Sequence, residues 1–161
     1  MALSNYNDLK ASIADFLNRD DLTSVIPDFI SLAEAQLNRE IRHWRMEDRV
    51  VSVVDSQYTA LPNNFLEPIR LIKTTGNFQI LELVGALEIS KLRQANNDNV
   101  GVPKVYTILD QAFEVFPKPD GDTTFELTYY EEIPDLATNS TNWLMTYYPS
   151  AYLYGSLLHS A

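Results

Sequence analysis

The 161-residue chain is acidic, with 12 Lys and Arg against 22 Asp and Glu and a formal net charge of −10. This charge argues against a tightly held nucleic acid, because such proteins normally bind phosphates through a positive surface. The chain has no cysteine, which excludes disulfides and thiolate metal sites. No apolar run approaches the ~20 residues that cross a bilayer, and no secretory leader is recognisable. We expect a soluble intracellular protein, or one exported only within a larger assembly.

Two helices are predicted near the N-terminus, each with apolar residues on one face. Asn5 followed by Asp8 resembles a capping box for the first helix. The second is predicted to have Thr23 or Ser24 as its N-cap and Pro27 in its first turn. Because both helices are one-sided, both are expected to pack on other elements.

The sequence period changes to that of β-strands from about Arg49 onward. Short β-branched or alternating segments predict four strands, at Val50–Val54, Tyr58–Leu61, Ile69–Lys73 and Phe78–Leu83. A third helix is predicted from Gly85 to Gln94, with Leu87 and Leu92 facing inward.

Three further apolar runs, at 103–109, 113–121 and 125–130, predict a β-meander. Asp120-Gly121 is a strong turn signal between the last two runs. The meander is predicted to lead into an aromatic helix from Trp143 to Leu158 that has almost no polar face. Such a helix needs cover on more than one side, from its own domain or from a partner.

The predicted fold class is α+β, with helices at the N- and C-termini packed as a small bundle and an inserted, mostly antiparallel β-sheet region. The chain is predicted to form a single domain. Within residues 1–161, its predicted parts are a helical segment at 1–45, a β-rich insertion at 46–135 with a short helix near 85–94, and a C-terminal helical segment at 140–161.

Catalytic and metal-binding patterns are weak in this sequence. His43 has only Glu47 at a ligand-like spacing, and Ser156 with His159 lacks the strand-to-helix elbow of a serine nucleophile. Asp120-Gly121-Asp122 lacks the alternating oxygen ligands of a calcium loop and is better explained as a turn. We therefore expect no catalytic residue, no metal, no cofactor and no enzymatic activity.

Surface for binding is the remaining functional signal, because aromatic residues are enriched at protein interfaces. A core role is the alternative and is expected for about half of the aromatic helix. The interface candidates are Trp143, Leu144, Tyr147, Tyr148, Tyr152, Tyr154, Leu158, Phe16 and Phe29. The cations Arg39, Arg42 and Arg45 are interpreted as a solvated or salt-bridged helix end, or as interface cations.

Several motifs in a particular order carry a resemblance over nearly the whole chain. They are Tyr6–Leu9, Ile26–Ile30, Ala33–Arg39, Ala60–Leu66, Gly101–Tyr106, Pro117–Gly121, Leu127–Tyr130, Asn142–Leu144 and Tyr152–Gly155. In this order the sequence resembles the head-to-tail adaptor (connector, or head-completion) proteins of tailed bacteriophages, particularly the short-tailed ones. Each motif alone is unspecific, but the order and spacing together are fairly specific.

The resemblance implies a structural virion protein at the head–tail junction, present in the host cytoplasm before assembly. It implies a homo-oligomeric ring, commonly of twelve copies, below the portal protein, with tail tube, nozzle or fibre proteins as further partners. DNA would pass through the channel without specific binding, which agrees with the acidic charge. Relatives usually continue past the Tyr152–Gly155 motif into an arm that reaches the portal, so we expect either that the arm is missing from this sequence or that this adaptor docks differently. The alternative is a monomeric protein- or peptide-binding module without a portal partner.

Overall fold

The computed structural model describes residues 3–160, except for the side chain of Asp20. The chain divides into two compact units. We call the residues up to Met46 and from Glu132 onward the helical unit, and Glu47–Glu131 the β unit. The predicted outer limits at residues 1 and 161 lie outside the described residues. Helices and a mixed sheet, mostly antiparallel, confirm the α+β class.

The described part of the helical unit contains five α-helices and two short 3-10 turns. The helices are α1 (Tyr6–Leu17), α2 (Ile26–Glu40), α4 (Leu136–Asn139), α5 (Trp143–Tyr147) and α6 (Pro149–Leu158), while the β unit contains α3 (Ala86–Ala95). The 3-10 turns are Asp20–Leu22 and Trp44–Met46. Within the unit, α6 packs against α1, α2 and α5.

The beginnings of α1 and α2 illustrate one correct and one wrong sequence prediction. Asn5 Oδ1 accepts hydrogen bonds from the backbone N–H groups of Asn7 (2.9 Å) and Asp8 (3.0 Å), so the predicted N-cap of α1 is confirmed. Thr23 or Ser24 as the N-cap of α2 is wrong, because Val25 holds that position without a side-chain cap. The preceding 3-10 turn accounts for this, since the Val25 N–H bonds to the carbonyl of Leu22 (3.0 Å).

The predicted continuous helix from Trp143 to Leu158 is also wrong. The chain breaks at Tyr148, whose φ of −138° and ψ of 55° are not helical, and α6 starts at Pro149. Proline lacks an N–H group and disfavours a helical conformation in the residue before it. This break separates α5 from α6.

The β unit is built on one seven-stranded sheet. In chain order the strands are β1 (Glu47–Val54), β2 (Tyr58–Ala60), β3 (Phe65–Lys73), β4 (Gln79–Leu83), β5 (Val105–Leu109), β6 (Ala112–Phe116) and β7 (Thr123–Glu131). Their order across the sheet is β1-β7-β3-β4-β5-β6-β2. β4 and β5 are parallel and are joined by α3, whereas the other neighbours are antiparallel.

Two local predictions in the β unit are corrected. The β-meander is wrong: β5 and β6 form a hairpin, but β7 pairs with β1 and β3, because β6 already has β5 and β2 on its two edges. Gly121, with φ of +93°, therefore turns the chain toward a distant strand. In α3 the inward residue is Ile89, whereas Leu87 is 70% exposed and Leu92 is half-buried.

One apolar core lies on the inner face of this sheet. It includes Val54 of β1 and Phe113 of β6 together with residues of the strands between them. In a flat sheet these two strands, five spacings apart, would be separated by about 24 Å. Because their side chains share one core, the sheet curves around it, as strand twist allows.

Candidate functional site

The helical unit carries a cluster of aromatic rings where α2 ends and α5 begins. His43 stacks on Trp143, with ring centroids 5.0 Å apart and an interplanar angle of 19°. Its ring also contacts Trp44 at 5.5 Å and meets Tyr148 edge-on at 6.4 Å. We call His43, Trp44, Trp143, Tyr147 and Tyr148 the aromatic cluster. The break before Pro149 leaves Tyr147 and Tyr148 half exposed or more within it.

Arg45 is held inside this cluster. Its guanidinium carbon lies 4.5 Å from the ring centroid of Trp44 and 4.1 Å from that of Tyr147, which is cation–π geometry on both sides. The backbone N–H of Arg45 donates to Nδ1 of His43 over 3.2 Å. The short Trp44–Met46 turn therefore fixes both the imidazole and the guanidinium.

Beside the cluster lies a groove of about 480 Å³. It is bounded by the end of α2, by α5 and by the first turns of α6. Its lining includes Ile41, His43, Trp143, Tyr148, Ala151 and Tyr154. We call this feature the aromatic groove. A concave, mainly apolar surface with aromatic walls is the usual form of a site that accepts an apolar side chain or a small ligand.

The three predicted cations lie at the C-terminal end of α2 and just beyond it. Arg42 donates to the carbonyl oxygens of Asn38 (2.8 Å) and Ile41 (2.7 Å), which would otherwise lack helical partners. Arg39 is exposed in the last turn of α2. Positive charge at this helix end is favourable because the helix dipole is negative there. The cations thus stabilise the helix end, and Arg42 brings positive charge to the side of the groove through its contact with Ile41.

The structure brings five of the predicted interface residues together. Trp143, Tyr147, Tyr148 and Tyr154 surround the aromatic cluster and groove, and Leu144, which is only 3% exposed, forms part of the groove lining. Tyr152 is 1% exposed and lies inside the helical unit. The remaining three candidates lie on other parts of the helices, with Phe16 and Leu158 exposed and Phe29 half-buried.

Tyr152 has a defined role inside the helical unit. Asn142 Nδ2 donates to the Tyr152 phenol oxygen over 2.6 Å and to the Pro134 carbonyl over 2.7 Å. Asn142 Oδ1 in turn accepts from the Met145 N–H, which caps α5. Burial raises the pKa of Tyr152 above its ordinary value. This ring therefore supports the inner side of α6.

Two polar residues of α2 that sequence reasoning missed attach the chain as it returns from the β unit. Glu34 Oε1 accepts from the Leu136 N–H over 2.8 Å, and Asn38 Oδ1 accepts from the Ile133 N–H over 2.9 Å. Burial raises the pKa of the Glu34 carboxyl. The two lie four residues apart, on one face of the helix. The sequence signal for this attachment is the four-residue spacing of Glu34 and Asn38 beside the apolar stripe of α2.

Ser156 in α6 and His159 just after it have different surroundings. His159 Nε2 lies 3.1 Å from Gln36 Oε1. Ser156 Oγ is buried and has no hydrogen-bond partner among the described residues. In the same part of the chain, no group of three or more His, Asp or Glu is placed to hold a metal ion. No helix between residues 3 and 160 is both long and apolar enough to span a membrane.

A family model described as SU10 adaptor protein matches residues 4–161, which is nearly the whole chain. The matched range includes every residue of the aromatic cluster and of the aromatic groove, and also Phe16. None of the curated proteins compared with the chain matches it.

Proposed function

The chain belongs to the SU10 adaptor protein family, the members of which are phage adaptors, and we propose that it forms a ring below the portal of a tailed bacteriophage. In this role it connects the capsid to the tail and extends the DNA channel. The observation that carries the proposal is the family match over residues 4–161. The proposed protein is structural, without enzymatic activity, and belongs to a virion of the short-tailed type.

The aromatic groove supports a role in assembly. Trp143 and Tyr148 line it, and Tyr147 lies beside it. Large aromatic side chains at the centre of a contact provide much of the binding free energy in protein complexes. We propose that the portal, neighbouring copies and tail tube, nozzle or fibre proteins are the partners of this protein.

The charge of the chain supports a role as a conduit for DNA. A net charge of −10 repels the phosphates of passing DNA, so DNA would slide through the ring without being trapped. The proposed arrangement places the helices as a small bundle, in the body of a ring that is commonly of twelve copies, with the β-sheet region inserted and projecting toward neighbours or tail components.

The test is to mix the purified protein with the portal ring encoded beside it in its genome. Negative-stain electron microscopy and sedimentation should show added density, stacked coaxially on the portal. A portal left unchanged by the product of the gene's full reading frame would contradict the proposal. In that case the groove would favour the alternative, a monomeric protein- or peptide-binding module, since such modules bind partners in a preformed concave site.

A further inference from the structure

Phe16 is an exposed aromatic residue in an acidic part of the helical unit. It lies near the end of α1, and its side chain is 62% exposed. Asp15 precedes it, Asp21 follows in the connection to α2, and Asp28 lies in the first turn of α2. Asp21 is paired with Arg19 at 2.6 Å, whereas the carboxylates of Asp15 and Asp28 are exposed. We call Asp15, Phe16 and Asp28 the acidic pole.

The aromatic groove and the three arginines lie at the other end of α2. Asp28 and Arg39 are eleven residues apart on this helix, which corresponds to about 16 Å along its axis. Oppositely charged groups at this separation in water interact weakly, since it exceeds the screening length of about 8 Å at physiological salt. The two charged ends therefore do not neutralise each other within one copy.

The two ends are complementary in charge and in shape. The acidic pole presents one aromatic ring beside carboxylates, and the groove presents aromatic walls beside guanidinium groups. A groove of about 480 Å³ is large enough for a phenyl ring and the atoms next to it. Its walls, His43 and Trp143, offer the stacked or edge-on contacts that aromatic pairs prefer. Arg42, whose guanidinium donates to the carbonyl of the lining residue Ile41, provides positive charge at the rim for the Asp15 or Asp28 carboxylate.

We infer that the acidic pole of one copy docks into the aromatic groove of the next, with Phe16 as the anchor. The inference rests on the proposed ring and identifies the surfaces that join its copies. Because each copy uses two different surfaces, the contact is heterologous, and such contacts close into rings when the rotation between copies allows it. Opposite charges at the rim would also speed the encounter and select the correct orientation.

The absence of cysteine makes a direct cross-linking test possible. Ser12→Cys places a thiol one turn before Phe16, and Ser150→Cys places one at the groove. The two variants are mixed and treated with a short bismaleimide, and the cross-linked heterodimer is quantified by mass spectrometry. The matched control pairs Ser12→Cys with Ser90→Cys, an exposed serine of α3. We expect about tenfold more heterodimer than in the control, a ratio that corresponds to about 1.4 kcal/mol.

A second pair of variants tests the anchor itself. Phe16→Glu in the Ser12→Cys chain should reduce the heterodimer to the control level, because a carboxylate cannot enter the apolar groove without losing its hydration. Leu87→Glu removes a similarly exposed apolar side chain from α3 and should leave the yield unchanged. Circular dichroism establishes that each variant is folded.

Three results would overturn the inference. The first is a heterodimer yield no higher than that of the Ser90→Cys control. The second is a loss of heterodimer with Leu87→Glu as large as the loss with Phe16→Glu. The third is a homodimer of a single cysteine variant at the yield of the mixture, which would indicate a two-fold contact. Portal binding is measured separately with the unmodified protein. Coaxial density on the portal without the cross-link would support the proposed function and would contradict the inferred contact between copies. The cross-link without such density supports the self-contact and contradicts the portal role.

Discussion

Asn142 donates a hydrogen bond to the phenol oxygen of Tyr152 over 2.6 Å, inside the helical unit and away from solvent. The same amide caps α5 and binds the carbonyl of Pro134. Asn142→Ala removes three hydrogen bonds and leaves the buried Tyr152 hydroxyl without this partner. We expect the free energy of unfolding to fall by about 2–4 kcal/mol.

Urea unfolding followed by tryptophan fluorescence measures this loss. Asn139→Ala is the matched control, because Asn139 is exposed and its side chain donates to the carbonyl of Asp135 (3.0 Å). It should cost about 0.5 kcal/mol or less. Equal losses in the two variants would show that the Asn142 network contributes little.

Gly155 lies where α6 approaches α2 closely. A Cβ atom added at Gly155 would lie 3.4 Å from the Cβ of Ala33, an ordinary van der Waals distance. Gly155→Ala should therefore stabilise the protein by up to about 1 kcal/mol, since glycine is a poor residue inside a helix. Gly155→Leu has no room for its further carbons against Ala33 and should destabilise it by about 1–3 kcal/mol. Thermal unfolding of the two variants checks these opposite signs, and a destabilising Gly155→Ala would contradict them.

The environment of Tyr129 in the β unit leads us to expect that the protein loses stability in alkali. Burial, with the Asp48 carboxylate nearby, raises the pKa of Tyr129 from 10.0 to about 12. Its hydroxyl lies 3.2 Å from Asp48 Oδ2 and 3.1 Å from Asn64 Oδ1. The unfolded chain releases the phenol proton near pH 10, whereas the folded chain keeps it until about pH 12. The stabilisation that the folded protein gains from the raised pKa of Tyr129 is therefore complete below pH 10 and is lost between about pH 10 and 12.

The expected loss from this one group is about 2 kcal/mol in the free energy of unfolding. Urea unfolding at pH 8 and at pH 11.5 measures it in the unmodified protein and in Tyr129→Phe. The variant is less stable at pH 8, because it lacks the hydroxyl contacts, but should lose about 2 kcal/mol less on going to pH 11.5. An identical loss in both proteins would show that Tyr129 does not carry the effect.

Trp143 and Tyr148 provide a test of the assembly role. Trp143→Ala and Tyr148→Ala remove walls of the aromatic groove and should weaken binding to the portal, or between copies, by roughly tenfold or more each. Both side chains are partly exposed, so the fold should remain. Sedimentation with the portal measures binding, and Leu87→Ala at the exposed position in α3 is the control. If both groove variants assembled as well as this control, the groove would not be an interface.

Local sequence signals predicted local features well. The cap at Asn5 depends on a side chain and N–H groups two and three residues away, so nothing distant can override it. Alternation found the strands, because the pleat places successive side chains on opposite faces. Pro149 carries a local signal for the break after α5, because proline disfavours a helical conformation in the residue before it, whereas the apolar pattern alone predicts one continuous helix.

Strand pairing and burial were not predictable in this way. The signal at Asp120-Gly121 indicated a turn, but the neighbours of β7 are β1 and β3, which lie more than 50 residues earlier in the chain. Likewise, the apolar pattern of residues 143–158 could not separate buried Tyr152 from exposed Tyr154. That separation depends on where α2 packs and on the hydrogen bond from Asn142.

The sequence by itself determined the fold class, most helix and strand positions, the acidic charge and the adaptor resemblance, because composition, periodicity and motif order are properties of the chain. Only the tertiary structure decided which aromatic residues are buried and which surround the groove. It also decided that His43 and Arg45 share one cluster with Trp143 and Tyr147, about a hundred residues later in the chain. Such contacts depend on the packing of distant segments, and packing is set by the balance of burial and hydrogen bonding over the whole helical unit.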